Sequence, residues 1–281
     1  MNSITIQANA KINLALFVRY KREDGFHEIE SIFQEIDFAD RITVKRSEGI
    51  VFNTNSKRLS NSRKNLCTDA GYLLKEECKI PGLEISLQKI IPISAGLGGG
   101  SSDAAAVLKA GLKLYKVKLS RKKLSSLAAK LGSDVPFFLS GKTAYVYGRG
   151  DGIRKIRSQY NYYIVLIIPK LSISTSWAYK NLRLGLTKKE CNLKLISLEF
   201  YGLNVEDFKK FFYNDFEESV FKVYPQLREI KHSLYKEGAD YASLSGSGST
   251  IFGIFQSPDT ANRACNLLSR FYRCELVKPV L

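Results

Sequence analysis

Short runs in which apolar and polar residues alternate fill the first third of the chain, for example at residues 4–7 and 83–88. A period of two residues is that of a strand with one buried face. After Asn65, and in two segments beyond residue 102, apolar residues recur every three or four positions, which predicts amphipathic helices. Because strands precede helices, we expect an α+β fold rather than a sheet of alternating strands and helices.

A second series of elements begins after the polar residues 148–161. The pattern predicts strands at residues 164–168, 251–255 and 274–277, and helices at residues 172–182, 205–212, 217–237 and 259–271. We therefore divide the chain into an N-terminal domain, residues 1–155, and a C-terminal domain, residues 156–281.

Composition and charge bound the class of protein. Of 281 residues, 44% are hydrophobic and 25% charged, as in ordinary globular proteins. The net charge of +16 indicates anionic partners but does not choose between nucleotides and nucleic acid. Much of the excess lies on the two helices beyond residue 102, where a solvated helix face is the simpler interpretation.

Targeting signals and cysteine usage favour a cytoplasmic protein. The apolar residues 12–18 are interrupted by Asn13 and end at Arg19 without a small-residue cleavage site, so we expect no signal peptide. Residues 162–169, the longest apolar run, are too few to cross a bilayer. The five cysteines form no CxxC pair or metal-ligand spacing, and an odd number cannot all pair within the chain.

A glycine-rich loop, residues 92–103, carries the strongest chemical signal: P-I-S-A-G-L-G-G-G-S-S-D. Glycine permits positive φ and close approach of an anion to backbone N–H groups, and a helix expected to begin near Ser102 would direct its N-terminus at the same anion. A Walker A loop is excluded because Ser101 stands where lysine is needed, and the acid-free residues 104–133 exclude a dinucleotide fingerprint. A flexible linker is the alternative, although Leu97 is a poor linker residue.

A second glycine–serine segment, residues 244–249, lies about 150 residues further along the chain. The two loops could meet across a cleft between the two domains, with one holding phosphate and the other closing over it. Taken alone, the second segment is equally well explained as an ordinary turn.

Three polar residues are candidates for the chemistry of phosphoryl transfer. Asp134 follows a helix-ending glycine and precedes Val-Pro, so its carboxylate is expected at an irregular corner, unless it is a helix cap or turn residue. Lys11 lies in an otherwise neutral strand and is, in isolation, explained as a surface lysine. His27, one of two histidines, follows Asp-Gly-Phe and could be a turn residue.

Together these motifs resemble the GHMP kinases. The resemblance is carried in order by N-A-K-I-N-L at residues 9–14, D-G-F-H at 24–27, the loop with its following alanines at 92–105, G-S-D-V-P-F at 132–137 and L-S-G-S-G at 244–248. It implies an α+β, two-domain GHMP kinase fold, with an N-terminal ribosomal-protein-S5-domain-2-like domain and a C-terminal ferredoxin-like α/β-plait domain.

The resemblance also implies an activity: transfer of the ATP γ-phosphate to a hydroxyl of a small molecule that carries a cytidine diphosphate group, in isoprenoid precursor synthesis. Asp134 would be the general base and Lys11 would lower the pKa of the hydroxyl. The implied ATP-binding residues are Asn65, Lys89, Pro92, Ile93, Ser94, Ala95, Gly96, Leu97, Gly98, Gly99, Gly100, Ser101 and Ser102. The implied substrate-binding residues are Asn13, Phe26, His27, Thr175, Tyr179, Ser245, Gly246, Ser247 and Gly248.

Cofactors and partners follow from the same resemblance. ATP and Mg²⁺ are expected, with Ser101 or Ser102 near the metal, and neither a nucleic acid nor a membrane is expected as partner; the protein would be a monomer or weak homodimer. His27 would hydrogen-bond the cytosine, and Phe26 and Tyr179 would sandwich its ring.

The sequence departs from the family pattern at three positions, and two other interpretations stay open. Asn9 replaces a usual proline, Phe26 replaces a usual tyrosine, and Trp177 is unusual in its segment. A GHMP kinase acting on mevalonate, homoserine or a sugar is one alternative, and a basic RNA-binding protein is the other.

Overall fold

The secondary structure comes from a computed structural model that describes residues 2–62, 65–158, 161–182, 192–198 and 200–281. The strands are β1 (Ser3–Lys21), β2 (His27–Arg46), β3 (Ile50–Thr54), β4 (Leu83–Gln88), β5 (Thr143–Gly148), β6 (Gly152–Lys155), β7 (Tyr163–Ile168), β8 (Tyr241–Leu244), β9 (Ile251–Phe255) and β10 (Arg273–Val277). The helices are α1 (Lys57–Ser60), α2 (Leu66–Cys78), α3 (Gly99–Leu114), α4 (Arg121–Leu131), α5 (Val135–Ser140), α6 (Thr175–Lys180), α7 (Leu193–Leu198), α8 (Phe208–Phe211), α9 (Phe216–Val223), α10 (Pro225–Lys236) and α11 (Pro258–Leu268). The expected α+β class is confirmed.

The chain forms two compact units that both draw on its N-terminal part. Unit 1 contains residues 1–10, 38–93 and 98–141, and unit 2 contains residues 11–37, 94–97 and 142–281. The long strands β1 and β2 each contribute residues to both units. Each unit is made of three separate segments of the sequence, whereas the domains expected from the sequence are continuous. The boundary after residue 155 therefore stays a prediction.

Unit 1 is a layer of strands covered by helices. Strand β3 runs parallel to β4, and β4 pairs antiparallel with the second half of β2, from Arg41 opposite Gln88 to Arg46 opposite Leu83. Helix α3 packs on α2 and α5. Its Gly111 lies against α2, where an added Cβ would be 2.6 Å from Cδ1 of Leu74, so the small residue allows the close approach.

Unit 2 contains the first half of β2, paired with β5, and a separate four-stranded antiparallel sheet of order β10-β7-β9-β8. The helices α9, α10 and α11 pack on this second sheet. Every residue of β8 and β9 is buried. Fully buried strands lose the period of two, which is why they read as continuous apolar runs.

Proline breaks one expected helix into two. The pattern over residues 217–237 predicts one helix, but α9 ends at Val223 and α10 begins with Pro225. Proline has no N–H to donate and its ring clashes with the carbonyl four residues earlier, whereas the first position of a helix accepts it. The apolar spacing continues across the break, so periodicity alone does not reveal it.

Other expected helix limits also change. The helix expected at residues 172–182 is the shorter α6, and residues 205–212 form a 3₁₀ turn, Val205–Asp207, followed by the single turn α8. The last helix begins at Pro258 and ends at Leu268, three residues before the expected end. The limits of α4 agree with expectation, because Ser120 caps its N-terminus and Gly132 follows its last residue.

The described cysteines are unpaired by disulfides, and the described helices are not of the membrane-spanning kind. Cys67, Cys78, Cys265 and Cys274 are thiols, and Cys191 lies outside the described residues. Among the helices in the described ranges, none combines the length and apolar character needed to span a bilayer.

Asp215 joins β1 to the start of α9 within unit 2. Its backbone N–H donates to the Leu16 carbonyl at 2.9 Å, and its Oδ2 accepts the Val18 N–H at 2.6 Å. The other carboxylate oxygen is buried without a hydrogen-bond partner among the described residues. Burial raises the pKa of Asp215 to about 6.

Replacing Asp215 with Asn should remove a pH-dependent loss of stability. Below a pH of about 4 the carboxyl group is protonated in both the folded and the unfolded chain. Between pH values of about 4 and about 6 only the folded state retains the proton, so the free energy of unfolding decreases as the pH rises through this range. Relative to wild type, the Asp215→Asn variant should gain about 1–2 kcal/mol of unfolding free energy between pH 4 and 7, allowing for partial exposure. Urea unfolding at several pH values measures this difference; the exposed Asp259→Asn is the control, and parallel pH profiles for wild type and D215N would contradict the assignment.

Candidate functional site

The lysine of the N-A-K motif is a buried residue of β1. Lys11 is 3% exposed, which excludes the surface-lysine interpretation. Its Nζ donates to Asn13 Oδ1 at 2.5 Å and to the Gly96 carbonyl at 3.1 Å, and it lies 4.7 Å from the centre of the Phe33 ring. Lys11 and Asn13 project on the same side because they are two residues apart on a strand. These contacts orient the ammonium group.

Asn13 is itself held in place by β2. Its Nδ2 donates to Ser31 Oγ at 3.0 Å, and the Ser31 hydroxyl donates to the Ala15 carbonyl. The amide therefore has a fixed orientation, with its oxygen directed at Lys11.

The two glycine loops meet within unit 2, whereas the sequence predicts a meeting across a cleft between domains. Residues 94–97 of the first loop contact residues 245–250 of the second, because Ser245 Oγ donates to the Gly96 carbonyl at 2.9 Å and the Thr250 N–H donates to the Ala95 carbonyl at 3.2 Å. Gly96 has φ +79°, and a Cβ added there would lie 2.0 Å from the Ser245 carbonyl oxygen. Only glycine allows this approach.

Thr175 and Ser247 extend this contact to α6. Their hydroxyl oxygens are 3.1 Å apart, and Thr175 is the first residue of α6. Gly246 approaches the strand from the other loop, since an added Cβ would lie 3.4 Å from Asn13 Oδ1. The structure therefore brings together the predicted residues Lys11, Asn13, Thr175 and Ser245–Gly248.

The aromatic residues and His27 lie on neighbouring elements of unit 2. His27 stacks on Tyr179, with ring centres 4.7 Å apart, and Tyr179 meets the Phe216 ring edge to face at 4.9 Å. Burial, and secondarily the Lys21 charge, lowers the pKa of His27. A neutral imidazole presents one donor and one acceptor.

Phe26 is presented by a tight turn. Its carbonyl accepts the Arg22 N–H at 2.8 Å, and its N–H donates to Asp24 Oδ1 at 3.1 Å. The ring is 48% exposed, and the Arg149 guanidinium lies 5.3 Å from its centre. The unusual Trp177 does not share this environment: it packs edge to face on Tyr224 at 5.5 Å, against the core of unit 2.

In unit 1, the start of α3 is the candidate anion site. The helix begins at Gly99, three residues before the expected start, because Gly98 adopts φ +67° and serves as N-cap without a side chain. Ser101 and Ser102 are therefore first-turn residues, and Asp103 follows that turn. The Ser102 N–H donates to the Gly98 carbonyl at 2.9 Å, so the N–H groups of residues 99–101 precede the helical ladder. Such groups are suited to phosphate oxygens.

Asn65 is the N-cap of α2. Its Oδ1 accepts the Cys67 N–H at 2.9 Å, while its Nδ2 is buried and makes no hydrogen bond within the described part of the chain. A buried amide N–H ordinarily has an acceptor, so this donor suits a ligand such as a purine ring nitrogen.

Lys89 is neutralised by two carboxylates: Asp40, which the sequence did not single out, and Asp103, the last residue of the glycine-rich motif. Its Nζ donates to Asp40 and, at 2.8 Å, to Asp103 Oδ2, and its side chain is 7% exposed. Asp40 Oδ1 also accepts the N–H groups of Ile90 and Ile91, which lead into the glycine loop. The ammonium group of Lys89 is thus occupied by a buried ion triad, Asp40–Lys89–Asp103.

Asp134 stands at the N-cap position of α5. Its side chain makes no capping hydrogen bond, and Pro136 occupies the first turn. The helix-cap interpretation therefore does not account for this carboxylate, which is half-buried. The corner expected around Val-Pro is the start of this short helix.

Side chains with metal-binding potential are sparse. No group of three or more His, Cys, Asp or Glu side chains is arranged to hold a metal ion in the described ranges. The hydroxyl oxygens of Ser101 and Ser102 are of the kind that coordinates Mg²⁺. In kinases Mg²⁺ is ordinarily bound by few protein ligands and mostly by phosphate oxygens and water.

Comparisons with known proteins agree with these motifs. The profile of the GHMP kinases N terminal domain matches residues 65–142, and that of the GHMP kinases C terminal region matches residues 200–274. The 4-diphosphocytidyl-2-C-methyl-D-erythritol kinase of Pelodictyon phaeoclathratiforme is 40% identical, over 99% of this chain and 98% of that protein. The protein with the same name from Thermodesulfovibrio yellowstonii is 39% identical, over 99% and 98%.

Solved structures show the same relation. A 4-(cytidine 5'-diphospho)-2C-methyl-D-erythritol kinase superposes with a TM-score of 0.83 at 33% identity, covering 98% of this chain and 99% of that one. A homoserine kinase from Cytophaga hutchinsonii has a TM-score of 0.78, covering 100% and 95%, but 19% identity, so it shares the fold alone.

Removing the lysine of the buried triad should destabilise unit 1 strongly. Lys89→Met leaves Asp40 and Asp103 buried without their cation, which costs about 3–5 kcal/mol. Lys123→Met is the matched control, because Lys123 pairs with Glu77 at the surface and such pairs contribute about 0–1 kcal/mol. Urea unfolding measures both, and equal small losses for K89M and K123M would contradict the structural role of the triad.

Proposed function

The chain belongs to the GHMP kinase family, and we propose that it transfers the γ-phosphoryl group of ATP to the 2-hydroxyl of 4-diphosphocytidyl-2-C-methyl-D-erythritol, a step of the non-mevalonate route to isoprenoid precursors. The observation that carries the proposal is the buried Lys11, held by Asn13 and the Gly96 carbonyl where the two glycine loops meet. Full-length identity of 36–40% with kinases of this name supports the choice of substrate.

Activation of the acceptor hydroxyl is assigned to Lys11 and Asp134. An alcohol is a weak acid, so its attack on phosphorus is helped by a carboxylate that takes the proton and a cation that stabilises the developing charge on oxygen. In this assignment Asp134 is the general base. Lys11 is suited to the second task because its buried ammonium is oriented by the oxygens of Asn13 and Gly96.

The phosphates of ATP are assigned to residues 92–102. The N–H groups at the start of α3 and the helix dipole favour anions there, and the glycines allow close approach. Mg²⁺ bound with ATP would neutralise phosphate charge, and the hydroxyls of Ser101 and Ser102 are the side-chain oxygens offered to it. Asn65, with its unpartnered buried Nδ2, is assigned to the adenine side.

Lys89 enters this assignment in a different role from the one expected. As a member of the buried triad it holds residues 90 and 91 through Asp40, and so supports the entry to the glycine loop. Contact between its ammonium and adenine would have to use the third N–H, beside the two carboxylates.

Cytosine recognition is assigned to His27, Phe26 and Tyr179. Aromatic faces accept a flat pyrimidine, and the neutral imidazole can hydrogen-bond its edge. Because His27 stacks on Tyr179 here, a base between Phe26 and Tyr179 requires the imidazole to turn from this position. A cytoplasmic location, a monomer or weak homodimer, and the absence of nucleic acid as a partner stay predictions.

Replacing Asp134 with Asn should remove most of the turnover. Loss of a general base lowers kcat by about 10²–10⁴-fold, whereas the KM for ATP should stay within about threefold because the amide has the same size. A coupled assay of ADP release measures both constants. Asp69→Asn, an exposed acid on α2, is the control, and normal phosphorylation by D134N would refute the assignment of the base.

Substrate choice should depend on His27. Wild type should phosphorylate the cytidine diphosphate substrate and leave mevalonate and homoserine unchanged, and His27→Ala should raise the KM for the acceptor by about 10- to 100-fold, the effect of one lost hydrogen bond to a buried base. The KM for ATP is the internal reference. Turnover of mevalonate or homoserine alone by wild type would disprove the proposed function.

A further inference from the structure

Asn214, a residue that the sequence motifs do not include, is buried at the start of α9 in unit 2. Its Nδ2 donates to the carbonyl of Leu244 at 2.7 Å and to that of Gly246 at 2.8 Å. Its Oδ1 accepts the Phe216 N–H at 3.0 Å, and the residue is 3% exposed. Both amide protons and the amide oxygen are therefore used, which fixes the orientation of the group.

The two carbonyls that Asn214 binds flank Ser245 in the second glycine loop. Ser245 Oγ donates to the Gly96 carbonyl, which is also the acceptor for Lys11 Nζ. Gly246 lies against Asn13, which also binds Lys11. A displacement of residues 244–246 would therefore disturb the Asn13 and Gly96 oxygens that accept hydrogen bonds from Lys11.

The neighbouring residues of α9 support the same contact. Glu217 Oε1 accepts the Ser243 hydroxyl and the Leu244 N–H, each at 2.9 Å, and its Oε2 pairs with Lys231 at 2.6 Å. Phe216 packs on Tyr179. The first turn of α9 thus holds the strand end that leads into the loop and also the ring assigned to cytosine.

We propose that Asn214 is a positioning residue for phosphoryl transfer: by binding the carbonyls of Leu244 and Gly246 it holds the second glycine loop against Gly96 and so sets the place of the Lys11 ammonium. The inference rests on the proposed function for its kinetic consequence, but its structural part stands on contacts within unit 2. Asn214 acts through the loop and Lys11 rather than on the substrate.

The test is Asn214→Asp. Aspartate keeps an oxygen that accepts the Phe216 N–H, so the start of α9 is retained, but it loses both donors and directs an acceptor at two carbonyl oxygens. We expect kcat to fall by about 10- to 100-fold, with the KM for ATP within about threefold, because a misplaced cation weakens transition-state stabilisation and not nucleotide binding.

A second variant guards against misfolding. Asn214→Ser keeps one hydroxyl donor, so its kcat should lie between those of wild type and Asn214→Asp. The matched control is Asn262→Asp on α11, where the amide Nδ2 donates to a single carbonyl, that of Pro258, at 2.9 Å. Its kinetics should equal those of wild type.

Hydrogen exchange separates this inference from the proposed function. The amides of Ser245 and Gly248 are hydrogen-bonded within the loop, and peptides covering residues 244–250 should exchange about tenfold faster in Asn214→Asp at equal global stability. Unchanged exchange, or faster exchange with unchanged kcat, would overturn the inference. If wild type does not phosphorylate the cytidine diphosphate acceptor, the proposed function fails, and the same kcat comparison is made with the GHMP kinase acceptor that wild type does use.

Discussion

The hydrogen bonds to the carbonyl oxygen of Gly96 are the interaction on which the arrangement of the candidate site in unit 2 depends. This oxygen accepts hydrogen bonds from Lys11 Nζ and from Ser245 Oγ. One atom therefore positions both a lysine on β1 and the second glycine loop. Any side chain at residue 96 would collide with the Ser245 carbonyl, and its positive φ disfavours other residues as well. Glycine at residue 96 therefore allows the two loops to touch, whereas glycine at residue 98 allows helix α3 to begin.

The two buried lysines show how the surroundings decide what a charge can do. Lys89 is paired with Asp40 and Asp103, so its charge is cancelled where it lies, and its effect is structural. Lys11 is oriented by the oxygens of Asn13 and Gly96. A cation held in this way is ready to stabilise negative charge that develops during a reaction. The same residue type is thus a structural element in unit 1, whereas in unit 2 it has the chemical role that we propose.

Local patterns in the sequence predicted what depends on neighbouring residues. The period of two gave β4, and the cap residues Ser120 and Gly132 marked both ends of α4. The limits failed where one residue overrides the period: Pro225 splits a continuous amphipathic pattern, and Gly98 starts α3 before the hydroxyl residues that usually cap a helix.

Residues that act through tertiary contacts left weaker signals. The burial of Lys11 is set by residues on β2 and two loops, so a strand lysine looked like a surface one. Asn214 precedes a strongly amphipathic helix, and Asn is a common residue at such a position. The helix expected from residue 217 rested on apolar spacing, and nothing in that local pattern connects Asn214 with a loop thirty residues away. The pairing of Asp40 and Asp103 with Lys89 was equally hidden, because an ion triad joins three separate elements.

The pKa of His27 is lowered in the position where its ring stacks on Tyr179. Burial disfavours the charged imidazolium, and the nearby Lys21 charge acts in the same direction. An imidazolium would present two donors, whereas the neutral ring presents one donor and one acceptor. The hydrogen-bonding edge of a cytosine also combines a donor with acceptors. When a base lies between Phe26 and Tyr179, as we propose, the imidazole leaves Tyr179, so the packing that lowers its pKa here belongs to the protein without the base.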